Sequence, residues 1–199
     1  MVHGAPGVYT IYNTAGNKTY NVHCHFDQKN QKSWTMVTSF AFSNNQHLSS
    51  SPFWVDKPYN EEAPNFKLYR MSLKRMMKVR KLATEWRSIC AYNGKMSDRL
   101  DSVRGEFKDL DPLKNVRIGS CKRVKYVNIR GTTCIDCTAK VFQTETQFFH
   151  IDSDKTCTLP FPPDASTISE DNFGYYRNVN PNFTCTSDGE STTSWWFGN

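Results

Sequence analysis

Apolar residues in this chain fall mostly into short alternating runs separated by polar turns, a pattern that predicts strands. Val8 to Tyr12 is a β-branched and aromatic run, and residues 13–18 form a turn. Thr19 to Phe26 returns with Tyr20, Val22, Cys24 and Phe26 on one face and Asn21, His23 and His25 on the other. This is a hairpin with an irregular loop. Ser33 to Phe42 is a third strand, with Trp34, Met36 and Phe40 at even positions. Polar residues 43–51 end it, and Pro52, Pro58 and Pro64 then punctuate an extended segment. Ser72 is the N-cap of the clearest helix, roughly Leu73 to Cys90. Met76, Val79, Ala83, Trp86 and Cys90 recur on one side at helical spacing, against Lys74, Arg75, Lys78, Lys81 and Arg87 on the other. Asp101 to Leu110 suits a short helix, Val116 to Arg130 one or two strands, Gly131 to Cys137 a compact loop, and Ala139 to Ile151 a further strand region. From Asp152 onward the chain is rich in Pro, Ser and Asn with interspersed aromatics, which reads as a loop-dominated subdomain held by cysteines. The expected class is α+β: an antiparallel sheet, one prominent helix and a loop-rich C-terminal subdomain. One domain spans 1–199, divided at 7–42, 43–151 and 152–199.

Composition narrows the picture. With 199 residues, 38% hydrophobic and 14% aromatic, the chain has the material for a packed core, and a disordered protein is excluded. No run approaches the roughly 18 apolar residues of a membrane-spanning helix. Met1 to Pro6 has no apolar h-region, so no signal peptide is expected there. A net charge of +6 favours acidic partners such as sulfated glycans, anionic lipids or nucleic acid. The seven cysteines, Cys24, Cys90, Cys121, Cys134, Cys137, Cys157 and Cys185, suit a secreted domain stapled at a few points, and their odd number leaves one thiol over. Asn17-Lys18-Thr19 and Asn182-Phe183-Thr184 are N-glycosylation sequons, naming Asn17 and Asn182 as acceptors.

Several constellations carry chemistry. Cys134, Cys137, His150 and Cys157 have the spacing of a tetrahedral zinc site, but residues 147–151 read as strand and structural disulfides are the favoured alternative. His23 and His25 share a strand face and suit a solvated hairpin surface better than a metal site. The basic side of the helix from Leu73 offers charge attraction to an acidic partner. Tyr175, Tyr176, Trp195 and Trp196, with Phe197, are candidates for stacking on a sugar ring, although core packing explains them at least as well. No nucleophile elbow, zinc-protease, phosphate-loop or dinucleotide motif is present, so no enzymatic activity is expected.

Three linked segments resemble the start of the fibrinogen C-terminal domain family: Gly7-Val8-Tyr9-Thr10-Ile11-Tyr12, Val22-His23-Cys24 and Trp34-Thr35-Met36-Val37. Pro52-Phe53-Trp54-Val55 is similar to a later family segment. Asp152-Ser153-Asp154, followed by Cys157, resembles the family's calcium loop, which implies Ca²⁺ bound by Asp152 and Asp154, with Asp164 as a further candidate. The resemblance implies an extracellular, glycoprotein-type recognition module that binds glycans or glycoproteins, as lectin or innate-immune members do. It also implies that the usual partner of Cys24 lies before Gly7, where this chain has no cysteine, so that Cys24 is the unpaired thiol. The cysteine and asparagine that follow the family's terminal aromatics are absent after Trp195-Trp196-Phe197, which points to the alternative of a structural or cell-adhesion protein that keeps the fold without a sugar pocket. A zinc-containing nucleic-acid binder is the third and least favoured reading. Oligomerisation is left open.

Overall fold

The computed structural model describes residues 4–13, 17–92, 94, 100–114, 119–153, 155–160 and 169–199. Among these described residues eleven strands form one sheet. They are β1 (Gly7–Asn13), β2 (Lys18–Asp27), β3 (Lys32–Ala41), β4 (Leu68–Arg70), β5 (Glu85–Cys90), β6 (Ser102–Glu106), β7 (Ser120–Ile129), β8 (Thr132–Thr144), β9 (Gln147–Asp152), β10 (Asp171–Asn172) and β11 (Thr192–Gly198). The order across the sheet is β1-β2-β3-β11-β5-β6-β7-β8-β9-β10, with β4 paired to the C-terminal half of β3. Every pairing is antiparallel. The described helices are a 3-10 segment, Phe42–His47, and one α-helix, α1 (Leu73–Leu82). The α+β expectation is therefore overturned: the molecule is predominantly antiparallel sheet, with little helix.

The reason lies in residues 83–110. The helix expected to reach Cys90 stops at Leu82, and Ala83 is extended (φ −99°, ψ 141°). Residues 85–90 are strand β5, and the helix expected within residues 101–110 gives way to strand β6. Trp86 and Cys90 are four apart, a spacing that keeps two side chains on one face in a helix and in a strand alike. Alternation also places Arg87 on the face opposite Trp86. The start of α1 agrees with the sequence: Ser72 Oγ accepts from Arg75 N at 3.4 Å, while Asp56 and Glu61 accept from the N–H groups of Leu73 and Ser72 at 2.8 and 2.6 Å. These acceptors satisfy donors that have no partner inside the helix and complement the positive end of its dipole.

The first hairpin matches its expectation, with Gly7 opposite Cys24 and Asn13 opposite Lys18. The Gly131 region is a tight turn into β8, so Cys134 and Cys137 lie within a strand rather than in a compact loop. β11 runs between β3 and β5 at the centre of the sheet. One sheet face packs beneath α1 and carries Trp86, Trp195, Phe197 and Phe40, all buried, together with Phe53, Phe148 and Phe149. Trp86 lies directly over Gly105, where a Cβ would collide with the ring. The other face carries Trp34, Arg87 and Trp196, with Tyr92 and Phe66 packed against them.

Disulfides join Cys90 to Cys185, Cys121 to Cys157, and Cys134 to Cys137, and Cys24 is free. Asp101, buried at the entry to β6, accepts from Arg130 N at 2.5 Å and from Thr184 N and Oγ1 at 2.8 and 2.7 Å. It thereby ties the β7–β8 turn to the segment that Cys185 anchors.

Candidate functional site

Two regions hold chemistry that packing alone does not use up. The first is the outer side of α1. Lys74, Lys78 and Lys81 succeed one another at i, i+4 and i+7, one row along about 10 Å of helix axis. Among the described residues none of the three makes an ion pair, whereas Arg75 and Arg80 on the same helix are taken by Glu61 and Glu62 and by Asp111. Lys78 stands between two grooves. One, of about 440 Å³, runs between the first hairpin and α1 and is lined by Ile11, Tyr20, Val79 and Leu82. The other, of about 480 Å³, is lined by Asp56, Leu73, Met77 and the three lysines. Met77 and Leu82 are exposed large apolar side chains beside this cationic row (51% and 79%).

The second region is the opposite face of the sheet. Trp196 and Arg87 are paired across β11 and β5, and Arg87 faces Arg104 across β5 and β6. The Arg87 guanidinium lies 4.1 Å from the Trp34 ring and 5.4 Å from that of Trp196. Trp34 is opposite His25 in the β2–β3 pair. His25 Nδ1 is hydrogen-bonded to the Tyr92 hydroxyl. Burial, with Arg87 adding to it, pushes His25 down to about 4, so its ring is neutral at pH 7. Burial pushes Tyr92 up to about 12 and pulls Arg87 down to about 9, still a cation at neutral pH. The expectation of a solvated histidine pair is corrected here: His25 is buried, and His23 packs edge-on against Phe66 and Trp196.

The residues singled out from the sequence are scattered. Asp152 is buried in β9, where it accepts from Ser169 Oγ at 3.1 Å and lies 3.8 Å from Lys140 Nζ. Asp154 and Asp164 lie outside the described residues. Among the described residues no group of three or more His, Cys, Asp or Glu side chains is gathered as for a metal ion. Of the four zinc candidates, Cys134, Cys137 and Cys157 are in disulfides, and His150 is stacked between Phe142 and Tyr175 with its Nε2 3.2 Å from Asp171. Trp195 and Trp196 are fully buried on opposite faces of β11. Tyr176 bonds Thr193 Oγ1, and Arg177 lies over the Tyr175 ring. Asn17 and Asn182 are exposed. Trp34 and Tyr92 were not among the expected site residues, and Arg87 was expected on the basic helix side rather than inside the sheet. The signal that could have found them was a single arginine in an otherwise β-compatible run, Glu85 to Cys90.

No protein-family model matches the chain, and no curated protein matches it significantly. Among the described residues no helix is long and apolar enough to cross a membrane.

Proposed function

We propose that the protein is an extracellular, non-enzymatic recognition module that binds acidic glycans or the glycan chains of glycoproteins along the outer side of α1. The observation that carries this reading is the row of three lysines, Lys74, Lys78 and Lys81, without an ion pair among the described residues and with a groove on either side. A row of cations meets a linear polyanion such as a sulfated glycan, and exposed Met77 and Leu82 add apolar surface for the sugar backbone. The three disulfides suit an oxidising compartment, and the likeness of residues 7–40 to the fibrinogen C-terminal family supports the same reading. Full burial of Trp195 and Trp196 favours the second reading, an adhesive matrix protein without a sugar pocket, because neither ring is open for stacking.

Calorimetric titration with a sulfated oligosaccharide and with its desulfated form separates the two. Glycan recognition gives binding of the sulfated form that weakens steeply with salt and drops about tenfold or more in the Lys74→Gln/Lys78→Gln/Lys81→Gln variant. Equal binding of both forms, or none at low salt, contradicts it. Repeating the titration with calcium and with EDTA tests the proposed ion at Asp152 and Asp154.

A further inference from the structure

Among the described residues three arginine side chains are almost wholly withdrawn from water: Arg70 (0% exposed), Arg87 (4%) and Arg130 (side chain 4%). Two of them have partners. Arg70 donates to the carbonyls of Ser51, Pro52 and Val55 at 2.9, 2.7 and 2.8 Å. Arg130 is paired with Glu170 at 2.8 Å. Arg70 Nε is buried without a partner, but Arg87 goes further: its Nε and Nη2 are both buried and have no hydrogen-bond partner among the described residues. The four buried tryptophans divide in the same way. Trp86, Trp195 and Trp196 donate through Nε1 to Leu110 O, Phe173 O and Ser194 Oγ at 2.8, 3.1 and 2.9 Å. Trp34 Nε1 is buried and has no acceptor among the described residues.

Other buried polar atoms also lack partners, Tyr69 Oη and Arg104 Nε among them, but Arg87 and Trp34 touch each other, since the Arg87 guanidinium lies 4.1 Å from the Trp34 ring. An indole N–H and a guanidinium are donors only, so no rotation or tautomer lets them satisfy one another. A buried donor without an acceptor costs its full desolvation, and native interiors rarely leave one so. The surrounding charges sharpen the deficit. Tyr92, Asp27 and Glu85 act on Arg87 through charge, with Tyr92 first among them, and none is hydrogen-bonded to it. Glu85 is held by Lys32 at 2.5 Å and Lys125 at 3.5 Å, and Arg104, directly across the strand pair, adds a like charge. Among the described residues no carboxylate is hydrogen-bonded to Arg87 or Trp34, and Glu85, buried on the same face, keeps its Oε2 without a hydrogen-bond partner.

We propose that Arg87 and Trp34 form a binding site for a small monovalent anion, either a halide or the carboxylate of a larger ligand, held by Arg87 Nε and Nη2 and by Trp34 Nε1. This site lies on the sheet face opposite α1 and is independent of the glycan reading.

The test is a bromide titration of the purified protein at constant ionic strength, balanced with methanesulfonate, reading tryptophan fluorescence and melting temperature. Saturable quenching and a saturable rise in melting temperature are expected, because a ligand of the folded state alone stabilises it. Competition by chloride identifies a halide site, and stronger competition by acetate identifies a carboxylate site. Arg87→Met removes both saturable responses, while Lys29→Ala, in the exposed turn between β2 and β3, keeps them. If Arg87→Met does not fold, Trp34→Phe decides: it keeps an aromatic ring under the guanidinium, loses one donor, and raises the bromide Kd about tenfold in the melting assay. Responses that stay linear in bromide, or that survive in Arg87→Met or unchanged in Trp34→Phe, overturn the proposal.

Discussion

Trp86 and Arg87 are neighbours in the chain, both are buried, and they face opposite sides of one sheet. On the α1 side, Trp86 packs against Phe149 and Trp195, covers Gly105, and donates its N–H to Leu110 O. Nothing on that ring is left unmet. On the other side, Arg87 stacks on Trp34 and leaves two donors without acceptors. Burial has a different meaning on the two faces. Under α1 it supplies stability by removing apolar surface from water. Opposite α1 it holds a cation and its neighbours in a state that costs stability until an acceptor arrives.

Truncation gives the largest contrast. Trp86→Ala should destabilise the fold by about 3–5 kcal/mol in urea unfolding, the cost of a large side chain lost from a packed core. A loss below about 1 kcal/mol would mean that the α1 side is not the tight face.

Acid should weaken the other face next. His25 titrates near 4 when folded and near 6.5 when exposed. The unfolded chain therefore binds the extra proton, and stability falls as pH drops from 6.5 to 4. The expected loss is about 1–3 kcal/mol. Burial lowers His23 as well, so it acts in the same direction. His25→Gln should flatten most of the slope, and a profile identical to that of the parent protein would remove His25 from the cluster.

Arg87→Met should change stability by less than about 1 kcal/mol in buffer free of halides and small carboxylates, because the apolar replacement avoids desolvating an unpaired charge. In saturating anion the same variant should be the less stable protein. A large loss under both conditions would mean that Arg87 is held by the protein itself.

Cys24 sharpens the comparison from the hairpin. Its thiol is half-buried on the α1 side of β2, and burial pushes its pKa up. It should alkylate slowly, and Cys24→Ala should cost less than about 0.5 kcal/mol, since no bridge is lost. Peptide mapping after alkylation without reduction checks this, and a Cys24 disulfide within the monomer would contradict it.

How far these features were legible in the sequence follows from how locally each is determined. The hairpin of β1 and β2, strand β3 and the Ser72 cap rest on alternation, turn residues and one hydroxyl, all readable within a few positions. Residues 85–90 misled because Trp86 and Cys90 fit either periodicity, and that error put Arg87 on a solvated helix surface instead of inside the sheet. His25 misled because an alternating strand normally has one wet face, whereas Phe66, Tyr92 and Trp196 cover this one. β11 was hidden for the same reason. A strand buried on both sides loses its alternation, so Trp195-Trp196-Phe197 looks like an aromatic tail until its partners β3 and β5, remote in sequence, are known. The unmet donors of Arg87 and Trp34 are a property of three-dimensional neighbours alone.

The most direct measurement of that contrast is anomalous diffraction from a crystal of the protein grown or soaked in bromide. An anomalous peak within hydrogen-bond distance of Trp34 Nε1 and the Arg87 guanidinium, with no peak on the α1 side of the sheet core, is the expected result. An Arg87 guanidinium bonded to a protein acceptor, with no anion beside it, would contradict the account.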